Sequence, residues 1–179
     1  MQTLYPSLFR QRRIPPLRRE RLELADGDFL DIDWTTPARG QRILVLHGLE
    51  GSLESHYAGS LLHCLAKAGY TAGLLYFRGR SGTPNRLARS YHSGETGDLE
   101  YIVRRLQIQQ DNSPLSVIGF SLGGNVLLKW LGECGENAGI QQAISISVPF
   151  DLDAAARQLD CGVSRICLLY TSPSPRDED

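Results

Sequence analysis

The stretch Leu115–Leu131, LSVIGFSLGGNVLLKWL, restricts the fold more than any other part of the 179 residues. Its first four residues form an apolar run of strand character, and its last seven carry apolar residues at helical spacing. Only a tight turn lets a chain leave a strand and enter a helix over so few residues. Gly119 and Gly123, two before and two after Ser121, remove the Cβ atoms that would clash in such a turn. Ser121 is thereby lifted over the end of the strand and set against a helix N-terminus, whose dipole favours developing negative charge. The pattern is that of a GxSxG nucleophile elbow; the plainer alternative is a Gly-rich βα turn.

The remaining chain repeats the alternation. Arg42–Leu46 (RILVL) is a short continuous apolar run, as in a strand covered on both faces. Ala58, Leu61, Leu62 and Leu65 then follow helical spacing, stopped near Gly69. Thr71–Phe77 reads as the next strand, and a loop rich in Gly and Arg runs from Arg78 to about Gly94. Leu99, Ile102, Val103 and Leu106 give another helix, with Asp98 and Glu100 in its first turn. Ile140–Val148 is a further β-branched run. Ahead of this series, Arg21–Ala25 and Phe29–Trp34 alternate around Asp26-Gly27, a type I′ hairpin signal. The expected fold class is therefore α/β, an antiparallel hairpin followed by parallel strands with crossover helices.

Composition narrows the partners. A net charge of -1 gives no sign of a nucleic-acid ligand, and no apolar run is long enough for a transmembrane segment. Arg10, Arg12, Arg13, Arg18, Arg19 and Arg21 concentrate charge near the N-terminus, and residues 1–20 are read as a solvated basic arm rather than a membrane-surface patch. The four cysteines, Cys64, Cys134, Cys161 and Cys167, lack zinc or CxxC spacing. They read as free thiols of a cytoplasmic protein. Oligomeric state leaves no mark in the sequence.

A serine nucleophile needs a base, yet His47, His56, His63 and His92 all precede Ser121. His47-Gly48-Leu49 ends an early strand, where a second oxyanion donor is supplied. The backbone N–H groups of Leu49 and Leu122 are the candidate pair. His47 reads as a residue that orients this loop, and a plain βα loop is the alternative. Arg78, Arg86, Arg89 and His92 fall near the carboxyl edge of the sheet. There an arginine would pair with a carboxylate or phosphate head group of a substrate, or else brace Asp98 or Glu95 within the protein. His92 as a substitute base is a minority reading.

Four segments together carry a family resemblance: HGLEGSLESHYA at His47–Ala58, FRGRSGTPNRLARSYHSGETGDL at Phe77–Leu99, GFSLGGNVLLKWLGE at Gly119–Glu133 and SVPFDLDAAARQL at Ser147–Leu159. With these, residues 1–166 resemble the alpha/beta hydrolases of the YheT type, relatives of the mammalian abhydrolase-domain proteins one and three. QTLYPSLFRQRR is similar to the family's N-terminal segment, in which a Pro-His-Leu normally precedes Gln2-Thr3, so the start is expected to be slightly shortened. The resemblance implies an α/β-hydrolase fold with a lid after the sixth strand. It also implies carboxylesterase-like action on a small-molecule ester or lipid, without a cofactor or metal. Ser121 would be the nucleophile, and the family's triad acid and histidine lie much further along.

The resemblance breaks off near Ile166. Cys167–Asp177 match, codon for codon, the translation of a common transposase sequencing adapter, so Cys167–Asp179 are expected to be read-through rather than native sequence. The expected organisation is a basic arm at 1–20, a partial hydrolase core at 21–150, the start of a lid at 151–166 and the foreign tail at 167–179. Asp151, Asp153 and Asp160 follow Ser121 but fall where the lid begins, and none is assigned as the triad acid. The chain by itself is then expected to be inactive and poorly soluble, with Ile140–Val148 left as an apolar edge strand. Two other functions are compatible with the same turn: acyl transfer to an acceptor other than water, and ligand binding by a non-catalytic α/β module.

Overall fold

A computed structural model describes residues 13–38, 40–49, 51–53, 55, 57–109 and 114–159. The chain divides into two units, Met1–Val148 and Pro149–Asp179. The first is built on a sheet of strands β1 (Leu17–Glu23), β2 (Phe29–Thr35), β3 (Arg42–Leu46), β4 (Thr71–Tyr76), β5 (Leu115–Phe120) and β6 (Gln142–Ile146). Their spatial order is β1-β2-β4-β3-β5-β6. β1 and β2 form an antiparallel hairpin, β2 is antiparallel to β4, and β4, β3, β5 and β6 run parallel. Helices α1 (Ala58–Lys67), α2 (Gly97–Gln109) and α3 (Leu122–Cys134) make the connections between them.

The pleat sorts the apolar residues of each strand onto two faces. Leu44 and Leu46 of β3, with Leu75 and Val117, pack against Leu99, Ile102, Val103 and Leu106 of α2 and Val126, Leu127 and Trp130 of α3. Ile43 and Val45, with Ala72, Leu74 and Ile118, meet Ala58 and Leu62 of α1 on the other face. A strand buried on both faces has no polar positions to spare, which is why RILVL reads as a continuous run.

Three sequence expectations need correction. β1 begins at Leu17, so Arg18 and Arg19 belong to the sheet and not to an arm ending at residue 20. Its alternation is hidden by charge. Arg19 pairs with Asp33 at 2.8 Å, and Arg21 with Asp31 at 2.8 Å, so arginines on an outer strand neutralise aspartates buried in β2. Second, the hairpin turn is not type I′, which requires positive φ at both central residues. Only Gly27 has positive φ, at 86°; Gly27 N–H donates to Leu24 O at 3.1 Å and Leu24 N–H to Asp28 O at 2.8 Å. This is a three-residue loop closed by a glycine bulge. Third, the last strand is shorter than Ile140–Val148. β6 lies at one end of the sheet among the described residues, and Ile144 and Ile146 are exposed on it.

In the second unit, α4 spans Leu152–Leu159. Asp151 Oδ1 accepts from Ala154 N–H at 2.8 Å, the bond of a helix cap. Arg10, Arg12, His56, Asp160, Cys161, Cys167 and the segment 167–179 lie outside the described residues.

Candidate active site

Parallel register brings four strand ends to one edge. Leu46 is paired with Leu75 and with Gly119, and Gly119 with Ser145. The residues just beyond, His47, Phe77, Ser121 and Ser147, therefore gather at the carboxyl edge, where open α/β sheets bind ligands.

Ser121 has φ 49° and ψ −115°, a conformation that non-glycine residues rarely adopt. Its surroundings hold it there. Ser121 N–H donates to Ile146 O at 2.9 Å, and Asn125 N–H donates to Ser121 O at 3.1 Å. A Cβ on Gly119 would sit 2.6 Å from Gly123 O, and one on Gly123 would run into the carbonyl oxygens of His47 and Leu46. Both glycines of the motif are thus required by backbone packed against backbone. A Cβ on Gly48 would lie 3.2 Å from Ser121 Cβ, so the loop after β3 passes directly beside the serine. A cavity of about 510 Å³ opens here, lined by Gly48, Leu49, Gly51, Ser55, Tyr57, Phe120, Ser121, Ile146 and Ser147.

His47 is fully buried behind this cavity, not in its lining. Phe77 N–H donates to its Nε2 at 3.2 Å, so the ring proton sits on Nδ1, which donates to Gly48 O at 2.7 Å. Burial pushes its pKa down to about 4, which keeps the imidazole neutral. Gly48 O also accepts from Gly51 N–H at 3.0 Å. The Gly48–Leu49 peptide is therefore gripped by its carbonyl, and in a trans peptide the Leu49 N–H points the opposite way. Leu122 is the first residue of α3, and its N–H is among the first-turn donors that lack a partner within the helix.

Arg78 and His92 lie elsewhere. The Arg78 guanidinium is buried and pairs with Asp98 through Nε and Nη2, both at 2.8 Å, and through Nη1 with Asp26 at 2.9 Å and Asp28 at 3.0 Å. The Asp98 hydrogen bonds, chief among these contacts, raise its pKa further. Asp28 is fully buried; burial favours its neutral form, yet donors from the Arg86 and Phe29 backbone, Asn85 and Arg78 hold its carboxyl below the ordinary range. Arg86 pairs with Glu23, and Arg89 with Glu95 at 2.6 Å. His92 is exposed, and its Nδ1 accepts from Gly94 N–H at 3.1 Å. These residues fasten the loop that follows β4, and neither Arg78 nor His92 lines the Ser121 cavity.

Sequence reasoning missed Tyr57 and Asp28. Tyr57 precedes α1 as one aromatic among several, and Asp28 is 50 positions from Arg78, so no local pattern marks either. Among the described residues no group of three or more His, Cys, Asp or Glu is arranged to hold a metal ion, and no helix is long and apolar enough to cross a membrane.

A mixed sheet with its parallel core, crossover helices and a strained serine at the end of β5 defines an α/β hydrolase. The family described as alpha/beta hydrolase fold matches residues 41–165, and the chain belongs to it. Within the family, the chain is 42% identical over 174 residues to "Putative esterase YheT" of Escherichia coli (strain K12), covering 95% of this chain and 51% of that protein. It is 27% identical over 157 residues to human "Phospholipase ABHD3", covering 82% of this chain and 38% of that one. The chain thus spans about half or less of the length of these relatives. Among solved structures, the Pyrococcus furiosus esterase Pf2001 shares the fold with a TM-score of 0.67 at 22% identity, covering 89% of this chain and 64% of that one.

Proposed function

We propose that this sequence is part of a serine carboxylesterase acting on acyl esters or lipids of small-molecule size. The observation that carries the reading is the geometry of Ser121: a positive-φ serine between β5 and α3, wedged by glycines and facing a cavity beside the Gly48–Leu49 peptide. Ser121 Oγ attacks the acyl carbon as a base takes its proton. The carbonyl oxygen becomes an oxyanion between the N–H groups of Leu49 and Leu122. Collapse expels the alcohol with that proton and leaves an acyl-serine; water then adds by the same route, releasing the acid and restoring Ser121. His47 orients the oxyanion loop and transfers no proton in either step. The base and its acid come from chain outside these 179 residues, a reading supported by the greater length of YheT and ABHD3. The esterase and phospholipase in those two names support the substrate class. We place the enzyme in the cytoplasm on its cysteines, of which Cys64 and Cys134 are free thiols.

The test uses the full-length natural protein that carries this sequence. A fluorophosphonate should label Ser121, identified by peptide mass spectrometry, and Ser121→Ala should lower turnover of p-nitrophenyl esters by at least about a thousandfold. Equal turnover in Ser121→Ala defeats the proposal. Ser121-dependent turnover by the 179-residue chain alone would overturn the external origin of the base.

A further inference from the structure

The residue that follows His56 does something the elbow reaction does not explain. Tyr57 immediately precedes α1, where its carbonyl accepts from Leu61 N–H at 2.9 Å, so its backbone is anchored by the helix. Its ring stacks on Phe120, the neighbour of the nucleophile, with centroids 4.3 Å apart and planes inclined by 28°. From that position its hydroxyl oxygen accepts the backbone N–H of Gly48 at 3.0 Å. Burial raises the hydroxyl pKa above its ordinary value, so the group stays a neutral phenol, opposed only in part by the Gly48 backbone and the Ser55 side chain.

We propose that Tyr57 is a positioning residue for the oxyanion hole, fixing the peptide on one side of Gly48 while His47 fixes the peptide on the other. This rests on the hydrolase reading above. Gly48 has no Cβ and so the widest choice of φ and ψ. A donor at the end of such a residue is aimed only if both adjoining peptides are held. Tyr57 takes the N–H of the His47–Gly48 peptide; His47 Nδ1 and Gly51 N–H take the carbonyl of the Gly48–Leu49 peptide. With both planes set, Leu49 N–H has one direction. The clamp acts on the transition state alone, because the donor gains its full value only when the oxygen carries charge.

The test is Tyr57→Phe in the full-length protein, which deletes the acceptor and keeps the stacked ring. We expect kcat for p-nitrophenyl butyrate to fall about ten- to a hundredfold with KM within about twofold. Affinity for a trifluoromethyl ketone, which forms a charged adduct with the serine, should weaken by a similar factor. Unchanged kcat overturns the inference, as does a fall in kcat matched by KM and by lost thermal stability. If Tyr57→Phe fails to fold, 4-fluorophenylalanine placed at position 57 keeps the ring and its shape and replaces the oxygen by a poor acceptor. A lowered kcat at unchanged KM then supports the clamp, and an unchanged kcat rejects it. Fluorophosphonate labelling of Ser121 in the unmodified protein separates the two levels: labelling with a neutral Tyr57→Phe sinks the clamp alone, and absent labelling sinks the hydrolase reading.

Discussion

The turn after β5 and the loop after β4 lie on the same sheet edge and are held by opposite means. At Ser121 the strained backbone is kept in place by close backbone packing, with glycines where any Cβ would strike a carbonyl. At Arg78 the chain is pinned by charge, one buried guanidinium among Asp26, Asp28 and Asp98. Packing of the first kind leaves the turn little room to rearrange. The second holds a long polar loop, to which Tyr91 adds a ring stacked on Phe77, and its strength depends on complete pairing of buried charge.

The contrast predicts unequal damage. Arg78→Ala in the full-length protein should cost most, about 3–5 kcal/mol of unfolding free energy by chemical denaturation, since buried aspartates lose their counter-ion. A loss under about 1 kcal/mol would show that water replaces the guanidinium and that the loop is not pinned by charge. Gly123→Ala should come next. Alanine gains about 1 kcal/mol in helix propensity, but its Cβ meets backbone that cannot swing aside, leaving a net loss of about 1–3 kcal/mol. A neutral Gly123→Ala would mean the elbow is looser than its geometry.

A third measurement separates the regions by pH. The folded-state pKa of His47 is about 4, below its unfolded value of 6.5, so between those limits the unfolded chain binds more protons. Its contribution is complete above pH 6.5 and is lost as pH falls towards 4, with a slope of up to about 1.4 kcal/mol per pH unit. His47→Gln should flatten that part of the stability profile, whatever it does to the plateau; an unchanged slope would place the proton elsewhere. Smallest of all, Arg89→Ala should change stability by about 1 kcal/mol or less, because the Arg89 side of its pair with Glu95 is about half exposed to water.

The same contrast explains what could be read from the chain. The elbow and the strands around it were legible because their causes are local: glycine spacing, continuous apolar runs and helical periodicity all lie within a few residues of Ser121. The charged side was legible only in part. Arg18–Arg21 hid a strand because an outer strand tolerates arginine, and Asp26-Gly27 signalled a turn without showing that Gly27 alone would take positive φ. Arg78 was marked as a charge near the edge, with a brace to Asp98 as one of its two expected roles. Its bonds to Asp26 and Asp28 reach back to the hairpin across some 50 residues, and only the fold brings them together. Tyr57 was invisible for the same reason: its partner is a backbone amide whose position depends on the turn around Gly48.

The hydrogen bond from Ser121 N–H to Ile146 O joins the strained serine to the outermost parallel strand described. The next residue, Ser147, is the other non-glycine position with positive φ among those described. Phe120 and Ile146 are paired in register, so the two strained serines stand side by side at the ends of adjacent strands.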